Sequence, residues 1–257
     1  MRRVLRIART EVLEQRRQPW MIFILAANYA LWICVFGALF LIMNAASSRP
    51  EVLVPFKRQL AAFGVELGAF LQLATSTFGS LMFTNLPLFV AIMSGTSVLH
   101  DRESGTMPFL MLAPITRGQL LVGKLAGAMT IPLVFHLLFV GTSSLLLGRL
   151  GALAPYAHKL GASPAWWLAF LVGAPASAAM VGALGTVISA LSRDIRTSMQ
   201  YTSFFIGLLS LGIGFVLVDG ISKGMVLQGV FAGGCVVASS LTLLLGARLI
   251  SKDVTPS

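Results

Sequence analysis

Seven residues in the middle of the chain, Gly118-Gln-Leu-Leu-Val-Gly123-Lys124, spell most of a phosphate-binding loop, G-x-x-x-x-G-K. In a working loop of that kind backbone N–H groups cradle phosphates, the lysine reaches them, and a Ser or Thr next in line holds magnesium. Leu125 occupies that last position, Leu-Leu-Val fills the stretch that must wrap an anion, and no strand pattern precedes it. The chain is therefore expected not to hydrolyse ATP by itself and not to be an enzyme. Other chemistries fail similar tests. No Asp or Glu lies in the middle of an apolar run, as a proton relay of buried acids requires. There is no H-E-x-x-H zinc motif, and Gly141-Thr-Ser143-Ser-Leu is not the G-x-S-x-G of a serine hydrolase. Cys34 and Cys235 support neither a disulfide framework nor a zinc site and read as buried packing residues. No metal site and no cofactor of the chain's own is expected. His136, the one histidine well inside an apolar run, reads as hydrogen-bonded packing.

Two patterns survive. Ser76, Ser80 and Thr84 recur every fourth residue and share one helical face. They line a path or, the favoured reading, let helices pack closely. The second pattern runs from His100 to Lys124, a long polar interruption in a greasy sequence. It begins with Asp101-Arg102-Glu103, passes Ser104-Gly105-Thr106, and reaches Pro114 through a short apolar run. Thr106–Leu112 is long enough for about two helical turns, and its Met107, Phe109, Leu110, Met111 and Leu112 cannot be buried by so short a helix alone. After Pro114 a new helix is predicted: Thr116 caps it, Gln119 closes the capping box, and Ile115 and Leu120 stand at the staple positions.

The elements that would carry these patterns are membrane spans. The chain of 257 residues is 56% hydrophobic and 11% charged, where a soluble domain carries about 25% charged residues. Six charge-free runs each exceed the roughly 20 residues that cross a bilayer. The predicted fold is an all-α membrane protein in one transmembrane domain over 1–257. Its six transmembrane helices lie near 20–43, 67–99, 120–147, 165–191, 197–218 and 224–247. Residues 1–19 read as an amphipathic interfacial helix, with Val4, Leu5, Ala8 and Val12 at helical spacing, and not as a cleavable leader. Residues 100–119 form a cytoplasmic segment between spans two and three. Pro87, Pro132 and Pro175 are expected to kink their spans. Gly182, Gly185, Gly207, Gly212, Gly214, Gly229 and Gly233 are expected to serve packing within one bundle. With a cytoplasmic N-terminus, 13 of the 19 Lys and Arg fall on inside segments, the positive-inside pattern. The charge of +10 thus reads as orientation and anionic-lipid contact; nucleic acid is excluded as a partner because no folded basic face is available.

This order of features resembles the type-2 ATP-binding cassette (ABC) permease family. The matching residues are Glu103, Gly105, Thr106, Leu112, Pro114, Thr116, Arg117, Gly123 and Lys124, followed by the basic loop Leu191-Ser192-Arg193-Asp194-Ile195-Arg196. Pro108 stands in the region where family members usually carry an acid. The resemblance implies the membrane-spanning subunit of an exporter in a bacterial-type cytoplasmic (inner) membrane, with both termini cytoplasmic. It implies a short coupling helix, a second permease subunit, and a separate ATPase subunit that alone binds ATP and magnesium. Glu103, Thr106, Met107, Phe109, Leu110 and Arg117 would make or position the contact with that ATPase. Two other classes stay open at this point. A stand-alone carrier or channel would need no such segment and would show charged or unwound midplane sites. A non-transporting assembly scaffold would have no use for a kinked, polar-striped second span.

Overall fold

The structure is a computed structural model that describes residues 2–17, 19–47, 49–147, 164–207 and 225–253, all helix or connecting turn. In chain order the helices are α1 (Arg2–Arg16), α2 (Pro19–Ser47), α3 (Pro50–Ala62), α4 (Leu67–Glu103), α5 (Met107–Leu112) and α6 (Arg117–Leu147). They are followed by α7 (Pro164–Leu168), a π-turn (Ala169–Gly173), α8 (Ala174–Leu191), α9 (195–207) and α10 (Met225–Asp253). Among the described residues, four helices are long and apolar enough to cross a membrane, in α4, in α6, in the π-turn with α8, and in α10. The count rises to five if α1 and the first part of α2, bent by 84° at their junction, are taken as one broken span. Span five of the sequence reading is helical over 195–207, and its remainder lies outside the described residues.

Helix α4 has 37 residues, about 55 Å at the rise of an α-helix, against ~30 Å of hydrocarbon. A helix of that length must tilt, break or project to be accommodated. It runs four residues past the predicted end at 99, so Asp101, Arg102 and Glu103 are helical and not loop. Gly105, at φ +72°, then turns the chain into α5, a backbone conformation that favours glycine. Pro108 sits in the first turn of α5, where its missing N–H costs nothing. The predicted capping box is present: Thr116 N–H donates to Gln119 Oε1 at 3.2 Å and Gln119 N–H to Thr116 Oγ1 at 3.2 Å. The lookalike phosphate loop lies within the first two turns of α6, where the N–H groups from Leu120 onward are committed to the helix and that of Gln119 to the Thr116 side chain.

The most extensive packing joins α4 to α8. Phe83, Leu86 and Val90 of α4 meet Phe170, Ala174 and Ala178 in the main core. The close approach is set by glycines of α8. A Cβ on Gly185 would lie 3.1 Å from Ala91 O and 3.2 Å from Gly95 N, both backbone atoms that cannot step aside. Gly207, Gly229 and Gly233 instead meet nothing within 4 Å among the described residues, so the packing described accounts for Gly182 and Gly185 and gives these three no neighbour. Gly212 and Gly214 lie outside the described residues. Gly185→Ala is accordingly expected to lower stability by about 1–3 kcal/mol, and Gly229→Ala to leave it unchanged or slightly raised. Unfolding midpoints of the two variants in the same detergent check the contrast.

The third proline meets a second irregularity. The π-turn before Pro175 is closed by the Ala174 N–H bonding Ala169 O. Continuing that register would leave Phe170 O to the nitrogen of residue 175, which in proline has no hydrogen. His136 of α6 supplies the hydrogen: its Nε2 donates to Phe170 O at 3.0 Å, and its ring stacks on that of Phe170. The histidine is thus hydrogen-bonded packing. Cys235 is buried, but Cys34 is exposed. The expectation of two buried thiols fails for Cys34, because apolar runs in a bundle present one face outward.

Candidate functional site

At the end of the bundle where α4 runs on into Asp101, Arg102 and Glu103, α1 crosses the first third of α6. The crossing is seated on two glycines: a Cβ on Gly123 would meet Ile7, and one on Gly127 would lie 3.0 Å from Ala8 O. Side chains this small let two helix backbones approach closely. The face that α1 turns inward follows from this seat. It carries Ile7, Glu11 and Gln15, while Leu5 is 59% exposed. The predicted apolar stripe therefore only partly describes the packed side.

Two acids and one base are buried together there. Lys124 is 4% exposed, and its Nζ lies 2.5 Å from Glu11 Oε2, 2.8 Å from Asp101 Oδ2 and 3.8 Å from Glu14 Oε2. It also donates to Ser97 O at 3.2 Å. One ammonium thus ties α1, α4 and α6. Burial pushes the Glu11 carboxyl above the usual carboxylate range, against the pull of the Lys124 ammonium. The arrangement depends above all on Lys124, since removing it strands Glu11 and Asp101 away from water without a cation.

The segment from Ser104 to Thr116 hangs on the same cluster. Thr106 Oγ1 donates to Asp101, 3.2 Å from its backbone oxygen and 3.3 Å from Oδ1, and shares a 3.0 Å hydrogen bond with Ser104. Arg3 of α1 donates to Pro114 O, fastening the turn between α5 and α6. Arg102 donates to Ala190 O at 2.6 Å and Ser192 O at 3.2 Å, placing a cation on the carbonyl end of α8. Beyond it Asp194 caps α9, accepting from Thr197 N–H and Oγ1–H at 2.7 Å each, and these bonds hold its carboxyl below the usual range.

The six predicted contact residues divide. Met107 packs inward against Val98, Leu121, Val187 and Ala190. Leu110 is half-buried at the edge of a groove of about 440 Å³ between α1 and α5, with Arg3 and Arg6 on the far wall. Glu103, the last residue of α4, is exposed, and Arg117, the first of α6, is half-buried. Phe109 is 74% exposed and Leu112 83%. These two, three residues apart, form the outward face of α5. Of the polar stripe, Thr84 is half-buried on α4, while the side chains of Ser76 and Ser80 lie outside the described residues.

Sequence reasoning missed the Glu11–Lys124–Asp101 cluster and did not single out Leu112, which shares the outward face of α5 with Phe109. The signal for the cluster was a lysine two turns inside an apolar helix, which must find a partner. The Gly123-x-x-x-Gly127 spacing beside it marked where another helix could come close. A family model described as "ABC-2 family transporter protein" matches residues 5–247 of the chain. No curated protein matches it.

Proposed function

The chain belongs to the ABC-2 transporter family, and from that premise we propose that it is the membrane-spanning subunit of an exporter driven by a separate ATPase subunit. In this reading six spans cross a bacterial-type inner membrane with both termini cytoplasmic, and two such subunits enclose the path. The observation that carries it is the outward face of α5. Phe109 and Leu112 are held out on a two-turn helix whose other side is fastened through Thr106 and Asp101 to Lys124 and Glu11. A short helix so placed is suited to sit in a cleft of a partner and to move the ends of α4 and α6 together with it. ATP and magnesium belong to that partner. Closure of two ATPase subunits drags α5, α4 and α6 tilt, and the path between permease subunits changes the side to which it opens.

The test is purification under mild detergent from the native host. An ATPase subunit is expected to accompany the chain, and the chain freed of it is expected to show no ATP hydrolysis. Robust hydrolysis that survives removal of every accompanying protein would sink this assignment.

A further inference from the structure

We propose that a pocket of about 220 Å³ beside the second half of α1 is a binding site for an organic ammonium group carried on an apolar stem. The pocket lies between α1, the start of α2, α4 and α9. Glu11 and Glu14 line it, Met21, Met93 and Trp20 supply apolar wall, and His100 is the basic residue among its lining, with neither Lys nor Arg there. Gln15 lines it too. That side chain is 5% exposed, and neither Nε2 nor Oε1 has a hydrogen-bond partner among the described residues. A buried amide with both ends unpaired is costly unless something occupies the site in front of it.

Charge selects the occupant. Lys124 stands within 4 Å of three carboxylates, at 2.5, 2.8 and 3.8 Å, so the cluster carries more anionic than cationic groups. A second cation relieves that excess, whereas an anion is repelled. An ammonium donates hydrogen bonds to carboxylate and amide oxygens, its stem fits against methionine, and Trp20 can present a ring face to the charge. Two sources share this chemistry: the headgroup of an aminophospholipid and a free amphipathic amine. The proposal concerns binding and stands whether or not the ligand is cargo.

The experiment is calorimetry on the full chain in phosphatidylcholine nanodiscs, with empty discs subtracted, using hexylammonium and its neutral counterpart hexanol as probes. Hexylammonium is expected to bind about tenfold more tightly than hexanol. Glu14→Gln and Gln15→Leu are each expected to weaken hexylammonium about tenfold while Glu14→Gln leaves hexanol unchanged. Unfolding midpoints confirm that both variants are folded. Glu14 is partly exposed, and Gln15→Leu buries no new polar group. Discs containing phosphatidylethanolamine separate the sources: competition with hexylammonium assigns the site to the aminophospholipid, and unchanged binding assigns it to a free amine. Equal affinity for the two probes, or wild-type affinity in both folded variants, overturns the proposal.

Discussion

Lys124→Met is expected to lower the stability of the chain by about 3–5 kcal/mol at neutral pH, because it leaves Glu11 and Asp101 buried without their cation. Methionine fills a similar volume, so the loss is electrostatic. The readouts are the unfolding midpoint in detergent and the rate at which trypsin cleaves at Arg6 and Arg9, which should rise sharply once α1 leaves its seat on Gly123 and Gly127. The pH dependence carries the sign of the cause. Burial already raises the Glu11 carboxyl in the folded chain. The folded state therefore holds that proton more tightly than the unfolded one, and stability falls as pH rises from the ordinary glutamate range through the raised value. Without Lys124 the carboxyl rises further, so the defect should shrink on acidification and grow toward neutrality. Adding Glu11→Gln and Asp101→Asn to Lys124→Met removes the stranded charges and should recover much of the loss. A single variant that unfolds at the wild-type midpoint at neutral pH would show that this cluster does not hold α1.

Phe109→Asp is expected to act on the partner and spare the chain. Phe109 is 74% exposed, so the isolated subunit should keep its stability within about 0.5 kcal/mol, with normal expression and insertion. In the assembled transporter the same side chain would enter an apolar cleft, where an unpaired carboxylate costs several kcal/mol, on the order of 3–5. Loss of the accompanying ATPase subunit and of transport is therefore expected, while Phe109→Leu retains most of both. Leu112→Asp should behave like Phe109→Asp, and Met107→Asp should differ by damaging the core formed with Val98 and Leu121. If Phe109→Asp and Leu112→Asp both hold the ATPase subunit at wild-type level, α5 is not the transmission.

The sequence alone determined the class of the protein. Charge-free runs longer than the roughly 20 residues of a spanning helix suit helices in lipid, because a helix pairs each backbone polar group within its own segment. Local chemistry also fixed particular boundaries. Thr116 and Gln119 sit three residues apart, and their reciprocal hydrogen bonds need no distant partner to start α6. Pro108, a departure from the family pattern, is accommodated for a similarly local reason, in the first turn of α5.

Tertiary structure decided what faces what. Glu11 lies on the helix read as interfacial, yet it is buried because Lys124, 113 positions along the chain, is brought against it. Met107 and Phe109 are similar apolar residues in one short helix, and only the position of α5 against α4 and α6 turns the first inward and leaves the second out. Gly185 and Gly229 are equally small, but one lies against the α4 backbone and the other meets nothing within 4 Å among the described residues. In each case the residue type permits both outcomes, and the choice depends on side chains brought together from distant parts of the sequence. Periodicity along a single helix cannot encode that, because it records which residues share a face and not which neighbour the face will meet.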